Sequence, residues 1–257
     1  NSTVETPFTR IDKTNSSEYE SLLNPISLND TIIIALRTGI DKVSEFIAVN
    51  SSGESTAIFT PGFLSSARFS AFSENNTTQD SLLKPGLSGF KLAWTESISD
   101  PRWGQRNFSE ITVYDSHTKK AKRIAKHKSY YSPCFSPDGK LLAAVKINQT
   151  GNSSIVIMVA ETGVEKEVLL SSDKDFFMTP AWSEDGNKLV FSSFNEKGKG
   201  IKIYDFLFKT VTEITMPGFS DVSNPVFAQN FIFFNGAFSG IPNIFAVQLS
   251  DKQIFQV

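Results

Sequence analysis

The sequence contains little of the chemistry that metal centres and disulfides require. Its 257 residues include one cysteine, Cys134, and two histidines, His117 and His127. A single cysteine excludes a disulfide within the chain and a cysteine-rich zinc site. We therefore expect neither a metal nor another cofactor. Cys134 lies in an apolar stretch, so we interpret it as a small buried side chain rather than a reactive thiol.

An excess of one charge and long apolar runs are also missing. The 25 basic and 27 acidic side chains give a formal charge of −2, whereas proteins that bind nucleic acids usually show a basic excess. No stretch approaches the roughly 18 consecutive apolar residues of a transmembrane helix. We expect no nucleic-acid partner and no transmembrane segment. Because the chain starts at Asn1 rather than Met, we expect a processed product or a piece of a longer polypeptide.

What the sequence has in abundance is phenylalanine and residues that form turns. It contains 23 Phe, against five Tyr and three Trp. Hydrophobic residues make up 40% of the chain, which is enough for a full-sized core. Asn, Ser and Thr recur throughout. This composition favours many short strands joined by tight turns over a helical bundle.

An internal repeat organises the chain. The segment PCFSPDGKLLA at 133–143 returns 47 residues later as PAWSEDGNKLV at 180–190. A degraded copy begins 45 residues further on at Pro225, and earlier copies begin near Pro25 and Ala67. A fixed period of this length is typical of propellers and solenoids.

Each repeat has the plan of a four-stranded meander. A first strand ends at Ser-x-Asp-Gly, a sequence that suits a tight turn because Gly and Asp tolerate positive φ angles. In the copy that starts at Pro133, strands then follow over 140–147, 155–160 and 164–170, separated by turns at Gly151 and Gly163. The third strand, IVIMVA, is apolar on both faces, so both faces of the sheet must be covered. Stacked blades of a β-propeller meet that requirement. An irregular β-sandwich is the alternative.

The repeat resembles a known family. FSPDGK at 135–140 and WSEDG at 182–186 resemble the WD40-like repeat of TolB-type propellers. The tail FSGIPNIF at 238–245 is similar to a strand-turn-strand segment of that family. The resemblance covers residues 20–257 and implies an all-β propeller, usually of six blades. It also implies a location in the bacterial cell envelope, either periplasmic, outer-membrane-associated or secreted.

The repeats define the expected domain organisation, which is a single propeller domain over residues 1–257. The five expected blades span about 25–66, 67–132, 133–179, 180–224 and 225–257. Residues 1–24 would supply a stray outer strand of a further blade and a linker. Five blades either close directly or belong to a six-bladed ring, and we favour a fragment of such a ring. An unclosed ring would expose an apolar blade face for a partner chain or another segment to cover.

One mouth of the central channel is the expected functional site. In this strand order, the loops between blades and the loops between second and third strands lie at the same end. Tyr, Trp and Arg dominate binding hot spots, so we predict a protein- or peptide-binding face there. Its predicted partner-binding residues are Arg102, Trp103, Arg106, Tyr130, Tyr131, Asp175, Phe176, Phe177 and Asp221.

Structural roles are the alternative for several of these residues. Trp103 would pin its own loop, with a neighbouring arginine paired to Asp100. Tyr131 and Phe177 would pack between blades. A calcium ion at the mouth, held by aspartates such as Asp175, is a further alternative, although no EF-hand spacing supports it.

The expected function is non-catalytic. The sequence contains no Gly-x-Ser-x-Gly and no His-Glu-x-x-His motif, so we expect no enzymatic activity from this chain by itself. The leading hypothesis is a TolB-like scaffold that binds a protein or peptide. The first alternative is an accessory or gating propeller of a larger peptidase or hydrolase, with catalytic domains elsewhere in the polypeptide. A glycan or small-molecule sensor is the weaker alternative.

Overall fold

A computed structural model describes residues 20–74, 89–100, 102, 107–126, 128–215 and 221–257. These ranges form twenty β-strands, and they contain no helix long and apolar enough to cross a bilayer. Consecutive strands pair antiparallel in five groups of four, which we call blades 1 to 5. The predicted all-β propeller architecture is therefore confirmed.

The first two blades precede the best-matched repeats. Blade 1 comprises β1 (Glu20–Asn29), β2 (Ile32–Gly39), β3 (Lys42–Asn50) and β4 (Ser55–Phe59). Blade 2 comprises β5 (Leu64–Ser73), β6 (Phe90–Ser99), β7 (Asn107–Asp115) and β8 (Lys120–Ala125). A single parallel bridge between Ser109 and Ser129 joins blade 2 to the inner strand of blade 3.

The remaining three blades contain the repeats that start at Pro133, Pro180 and Pro225. Blade 3 comprises β9 (Ser129–Phe135), β10 (Leu141–Ile147), β11 (Ser153–Val159) and β12 (Glu165–Ser172). Blade 4 comprises β13 (Phe176–Trp182), β14 (Lys188–Asn195), β15 (Gly198–Asp205) and β16 (Thr210–Glu213). Blade 5 comprises β17 (Val222–Ala228), β18 (Phe231–Gly236), β19 (Asn243–Gln248) and β20 (Ile254–Gln256).

The repeated Ser-x-Asp-Gly segment forms the predicted tight turn. In blade 3, the Ser136 hydroxyl donates to Asp138 at 2.7 Å and accepts from the backbone N–H of Leu141 at 3.0 Å. Gly139 follows with a φ of 67°, which glycine adopts without steric cost. Ser183, Asp185 and Gly186 repeat the arrangement in blade 4. The motif is explained by turn chemistry.

The third strand of blade 3 is covered on both faces, as its sequence predicts. Val156 and Met158 pack into a core shared with blade 2, whereas Ile155 and Ile157 pack into a core shared with blade 4. Equivalent cores join blade 1 to blade 2 and blade 4 to blade 5. Within the described residues, five blades thus share four cores, and the neighbours in sequence are the neighbours in space.

The inner strands differ from the prediction at their starts. Four of the five were expected to begin near a proline, but β9 and β13 begin at Ser129 and Phe176, several residues before Pro133 and Pro180. The residue before the proline has a positive φ and interrupts the ladder, as at Ser132 (49°) and Thr179 (47°). A bulge of this kind lets the strand pair on both sides of the irregularity. Residues expected in loops between blades, including Tyr130, are therefore strand residues.

Candidate functional site

Those predicted mouth residues that the structure describes lie at one end of the blades, but in different environments. Phe176, Asp221 and Arg102 are exposed, Tyr131 and Asp175 are partly buried, and Tyr130 and Phe177 are buried. Trp103 and Arg106 lie outside the described residues. Two of the predicted aromatic anchors thus point into the protein rather than out of it.

Tyr130 belongs to a polar cluster between strands of blade 3. Its hydroxyl donates to the Glu165 carboxylate, which also accepts from Lys128 at 2.6 Å and from Lys146 at 2.9 Å. Burial alone would raise the pKa of Glu165, but hydrogen bonds from these three side chains outweigh it and lower the pKa to about 2. Burial and the bond to Glu165 raise the pKa of Tyr130. The cluster fixes the tyrosine within the wall of the mouth.

Phe177 and Tyr131 contribute to the core between blades 3 and 4. The Phe177 ring lies edge-on to Phe191, with 5.5 Å between ring centroids and an interplanar angle of 89°. The Phe177 side chain is 5% exposed. These contacts match the alternative reading of both residues as packing between blades.

The carboxylates at the mouth pair with lysines on neighbouring strands. Asp175 accepts from Asn195 at 2.8 Å and lies 3.4 Å from the Lys202 ammonium. Asp221 pairs with Lys199. Each aspartate thus helps to anchor the start of an inner strand to the third strand of blade 4.

Arg102 is held by its backbone. Its N–H donates to the Asp100 carboxylate at 2.8 Å, which forms a local turn in which Arg102 is exposed. The expected ion pair between Asp100 and a neighbouring arginine is therefore replaced, for Arg102, by a side-chain-to-backbone bond.

Besides the predicted Phe176, the rim of the mouth carries apolar side chains that were not predicted from the sequence. Phe176 faces Phe194 across the β13–β14 ladder, and the two residues are 39% and 50% exposed. Other large apolar residues at this end are similarly exposed. We define the mouth surface as Ile40, Val43, Phe63, Phe176, Phe194, Phe238 and Ile241. Most lie in or beside loops between second and third strands, and the residues predicted from loops of this kind came from blade 2 alone.

Part of the mouth surface is held rigidly. Phe238 packs edge-on against Phe245, with 4.8 Å between ring centroids, and against Phe234 at 6.3 Å. Gly240 follows with a φ of 82°, so the loop turns tightly and presents Ile241, which is 66% exposed. An aromatic side chain fixed on its inner side and accessible on its outer side is suited to bind an apolar partner group.

Cys134 lies on the inner strand of blade 3 and is partly buried. Burial raises the pKa of its thiol, which disfavours the thiolate needed for nucleophilic chemistry. Its backbone carbonyl accepts from the indole of Trp182 at 3.2 Å. The contacts agree with the expected packing role.

Comparison with known proteins supports the architecture. No family model and no curated protein matches the chain. Its structure is similar to TolB from Acinetobacter baumannii, with a TM-score of 0.71 and 18% identity over 92% of this chain and 54% of that one. It thus spans about half the length of the TolB chain it matches.

Two other solved structures show the range of proteins that contain this fold. One is a nidogen/laminin complex, with a TM-score of 0.64 and 11% identity over 91% of this chain and 78% of the other. The second is a puromycin-hydrolyzing peptidase from Mycobacterium tuberculosis, with a TM-score of 0.60 and 14% identity. That match covers 93% of this chain and 38% of the peptidase. At these identities the likeness establishes the fold alone, and this chain has a TolB-like β-propeller fold.

Proposed function

We propose that this chain is a non-catalytic propeller module that binds a protein or peptide through the mouth surface. The observation that carries the proposal is the exposed pair of Phe176 and Phe194, which stands on the rim beside the exposed loop of Phe238 and Ile241 on the next blade. Exposed aromatic groups on a rigid sheet lose little entropy on binding and supply large contact areas.

The charges around the rim support binding rather than catalysis. Asp175 and Asp221 at the rim, and Glu165 in the cluster with Tyr130, each pair with at least one lysine, so their charges are already engaged. The hydrogen bonds that lower the pKa of Glu165 hold it in the ionised form, which is poorly suited to donate a proton near neutral pH. Protein interfaces usually have an apolar centre surrounded by polar side chains.

The similar structures support both the partner class and a location. The nidogen/laminin structure is a complex between proteins, and TolB-type propellers lead us to propose the bacterial cell envelope for this chain. Fractionation of the source cells would test the location, and recovery of the protein with cytosolic markers would contradict it.

A second candidate function is an accessory propeller of a larger peptidase. It is favoured by the match of 93% of this chain to only 38% of a peptidase, because such a protein has room for a separate catalytic domain. In that case the mouth surface would contact substrate peptides or the catalytic domain.

The binding proposal can be tested with two matched double variants. Phe176→Ser with Phe194→Ser removes the exposed pair at the mouth, whereas Leu207→Ser with Phe208→Ser removes two exposed residues at the turn between β15 and β16, at the opposite end. Both proteins are used as baits in cross-linked envelope extracts, with folding checked by circular dichroism. We expect the mouth variant alone to lose the captured partner. Equal capture by both variants would overturn the proposal.

A further inference from the structure

The inner strands that surround the channel carry very few charges. Of the residues in β1, β5, β9, β13 and β17, only Glu20 and Arg68 are charged. Glu20 pairs with Lys42 in blade 1. Arg68 is therefore the one charge of these inner strands that has no opposite charge paired with it in the described structure.

Arg68 lies on a bulge that departs from the blade 2 ladder. Leu64 pairs with Glu96 and Phe69 with Trp94, so four residues of β5 face a single residue of β6. The Ser66 hydroxyl accepts from the backbone N–H of Arg68 at 3.1 Å. The bulge places the arginine on the inner side of the blade.

The Arg68 side chain reaches across to a blade that is not its neighbour. Its guanidinium donates to the side-chain oxygen of Asn224 on β17 of blade 5, whereas the cores of blade 2 are shared with blades 1 and 3. Asn224 is itself a bulge residue, with a φ of 53°. The contact spans the space enclosed by the inner strands.

The environment of this guanidinium is neutral and only partly hydrated. Arg37 lies against Glu45, and Arg123 lies within 3.9 Å of Glu96 and Glu110. Arg68 has no such carboxylate among the described residues. Burial lowers its pKa, which reflects the loss of solvating water around the charge. An arginine in this setting gains from an anion that restores the missing interactions.

We propose that Arg68 forms a carboxylate-binding site inside the channel, with Asn224 as its second polar group. The guanidinium has five N–H donors in a planar fork that matches a carboxylate with two parallel bonds. One donor is used by Asn224, and the Asn224 amide can donate to the same ligand. The carboxylate comes either from a small free acid or from the C-terminus of a peptide.

The test follows two NMR signals in the whole chain labelled with nitrogen-15, the side chain of Arg68 and the side-chain amide of Asn224. The Asn224 signal reports binding in the variants that lack Arg68. Three probes are titrated: acetate, a short neutral peptide with a free C-terminus, and the same peptide with an amidated C-terminus. The variants are Arg68→Gln and Arg68→Lys. Arg37→Gln is the control, because it makes the same substitution at an arginine outside the proposed site.

We expect saturable shifts of the Arg68 signal with acetate or with the free peptide, and none with the amidated peptide. Saturation by acetate alone identifies a small acid as the ligand, and tighter binding of the free peptide identifies a chain terminus. Because a hydrogen bond to a charged group contributes about 1.5–3 kcal/mol, Arg68→Gln should weaken binding about tenfold or more. Arg37→Gln should leave the affinity unchanged, and the affinity of Arg68→Lys should lie between those of the wild type and Arg68→Gln.

Two outcomes would overturn the proposal. One is the lack of any saturable shift in the wild-type protein, which needs no variant and so does not depend on whether Arg68→Gln folds. The other is unchanged affinity in a folded Arg68→Gln protein. Either result would leave Arg68 as a structural tie between blades 2 and 5. The outcome is independent of partner capture at the mouth surface, so this inference and the proposed function can fail separately.

Discussion

Phe176 and Phe177 are consecutive residues at the same end of the same strand, yet they belong to different regions of the molecule. Phe177 lies in the wall between blades 3 and 4 against Phe191, whereas Phe176 stands on the rim beside Phe194. Successive side chains of a strand point to opposite faces, so only one of two adjacent aromatic residues can enter the core between blades 3 and 4. The wall holds the blades together, and the rim is left for a partner.

The same comparison extends to the other blades. Tyr130, Phe177 and Val222 each lie two residues before the bulge residue of their inner strand, and all three are buried against the preceding blade. Leu22 lies at the equivalent position of blade 1 but is 39% exposed. Among the described residues, this position is buried where another blade precedes it.

The last blade shows the complementary feature. Val247 and Ile232 of blade 5 are fully buried in the core shared with blade 4. On the opposite face of the same sheet, Val226, Ile244 and Phe255 are 44%, 53% and 43% exposed. Blade 5 thus has one packed face and one face whose large apolar side chains are partly exposed.

The largest expected effect comes from the wall. Phe177→Ala should destabilise the protein by about 3–5 kcal/mol, because it removes a buried ring and leaves a cavity between two blades. Phe176→Ala should cost less than about 1 kcal/mol, since it removes only a cross-strand contact on an exposed face. Urea unfolding of the two variants measures both values. Similar costs for both would contradict the distinction between wall and rim.

Two glycines test close packing between blades in the same way. Gly163 has a φ of 71°, and an added Cβ would lie 1.9 Å from the Ile124 carbonyl oxygen of blade 2. Gly151 has a φ of 86° at the mouth, with no atom within 4 Å of an added Cβ. Gly151→Ala should therefore show only the left-handed penalty of about 1–2 kcal/mol. Gly163→Ala should show that penalty and a clash, so its thermal midpoint should fall clearly further.

The Glu165 cluster in blade 3 predicts that the stability of the protein depends on pH. The pKa of Glu165 is lowered to about 2 in the folded protein, so its contribution to stability is present above the pKa of the unfolded state, about 4.3. That contribution should be lost progressively as the pH falls from about 4.3 towards 2. Glu165→Gln should reduce the slope of unfolding free energy against pH in this window. An unchanged slope would show that the cluster does not contribute.

The smallest effect on stability is expected at the rim. The combined Phe176→Ser and Phe194→Ser substitutions should change the unfolding free energy by about 1 kcal/mol or less, because both side chains are already exposed to water. Partner capture should nevertheless be lost. A large loss of stability would show that the pair belongs to the wall, and the binding proposal would then lack its anchor.

Much of the fold could be predicted from the sequence because the repeat encodes local chemistry. Asp138 and Gly139 specify a turn, and the apolar third strand 155–160 requires neighbours on both faces. The bulges could not be predicted, since a positive φ at Thr179 contradicts the preference of a β-branched residue. Tertiary packing of the blades outweighs that local preference.

The candidate site was predicted less completely than the fold. The sequence places Tyr130 and Phe177 near the mouth, but as loop residues. Because both lie within strands, the face of the strand that each side chain occupies decides whether it is buried. Phe194 and Phe238 could have been found by searching every loop between second and third strands. Arg68 gives no signal in the sequence, because what distinguishes it is that no carboxylate of the described residues pairs with it in three dimensions.

The most direct test of the account is photo-cross-linking from single positions on the two ends of the propeller. A photoreactive phenylalanine analogue replaces Phe194 on the mouth surface or Phe208 at the opposite end, and both proteins are irradiated in the source cells. The account predicts one dominant cross-linked product from position 194 and none of that product from position 208. The same product from both positions, or no product from position 194, would contradict the claim that the mouth surface binds a partner.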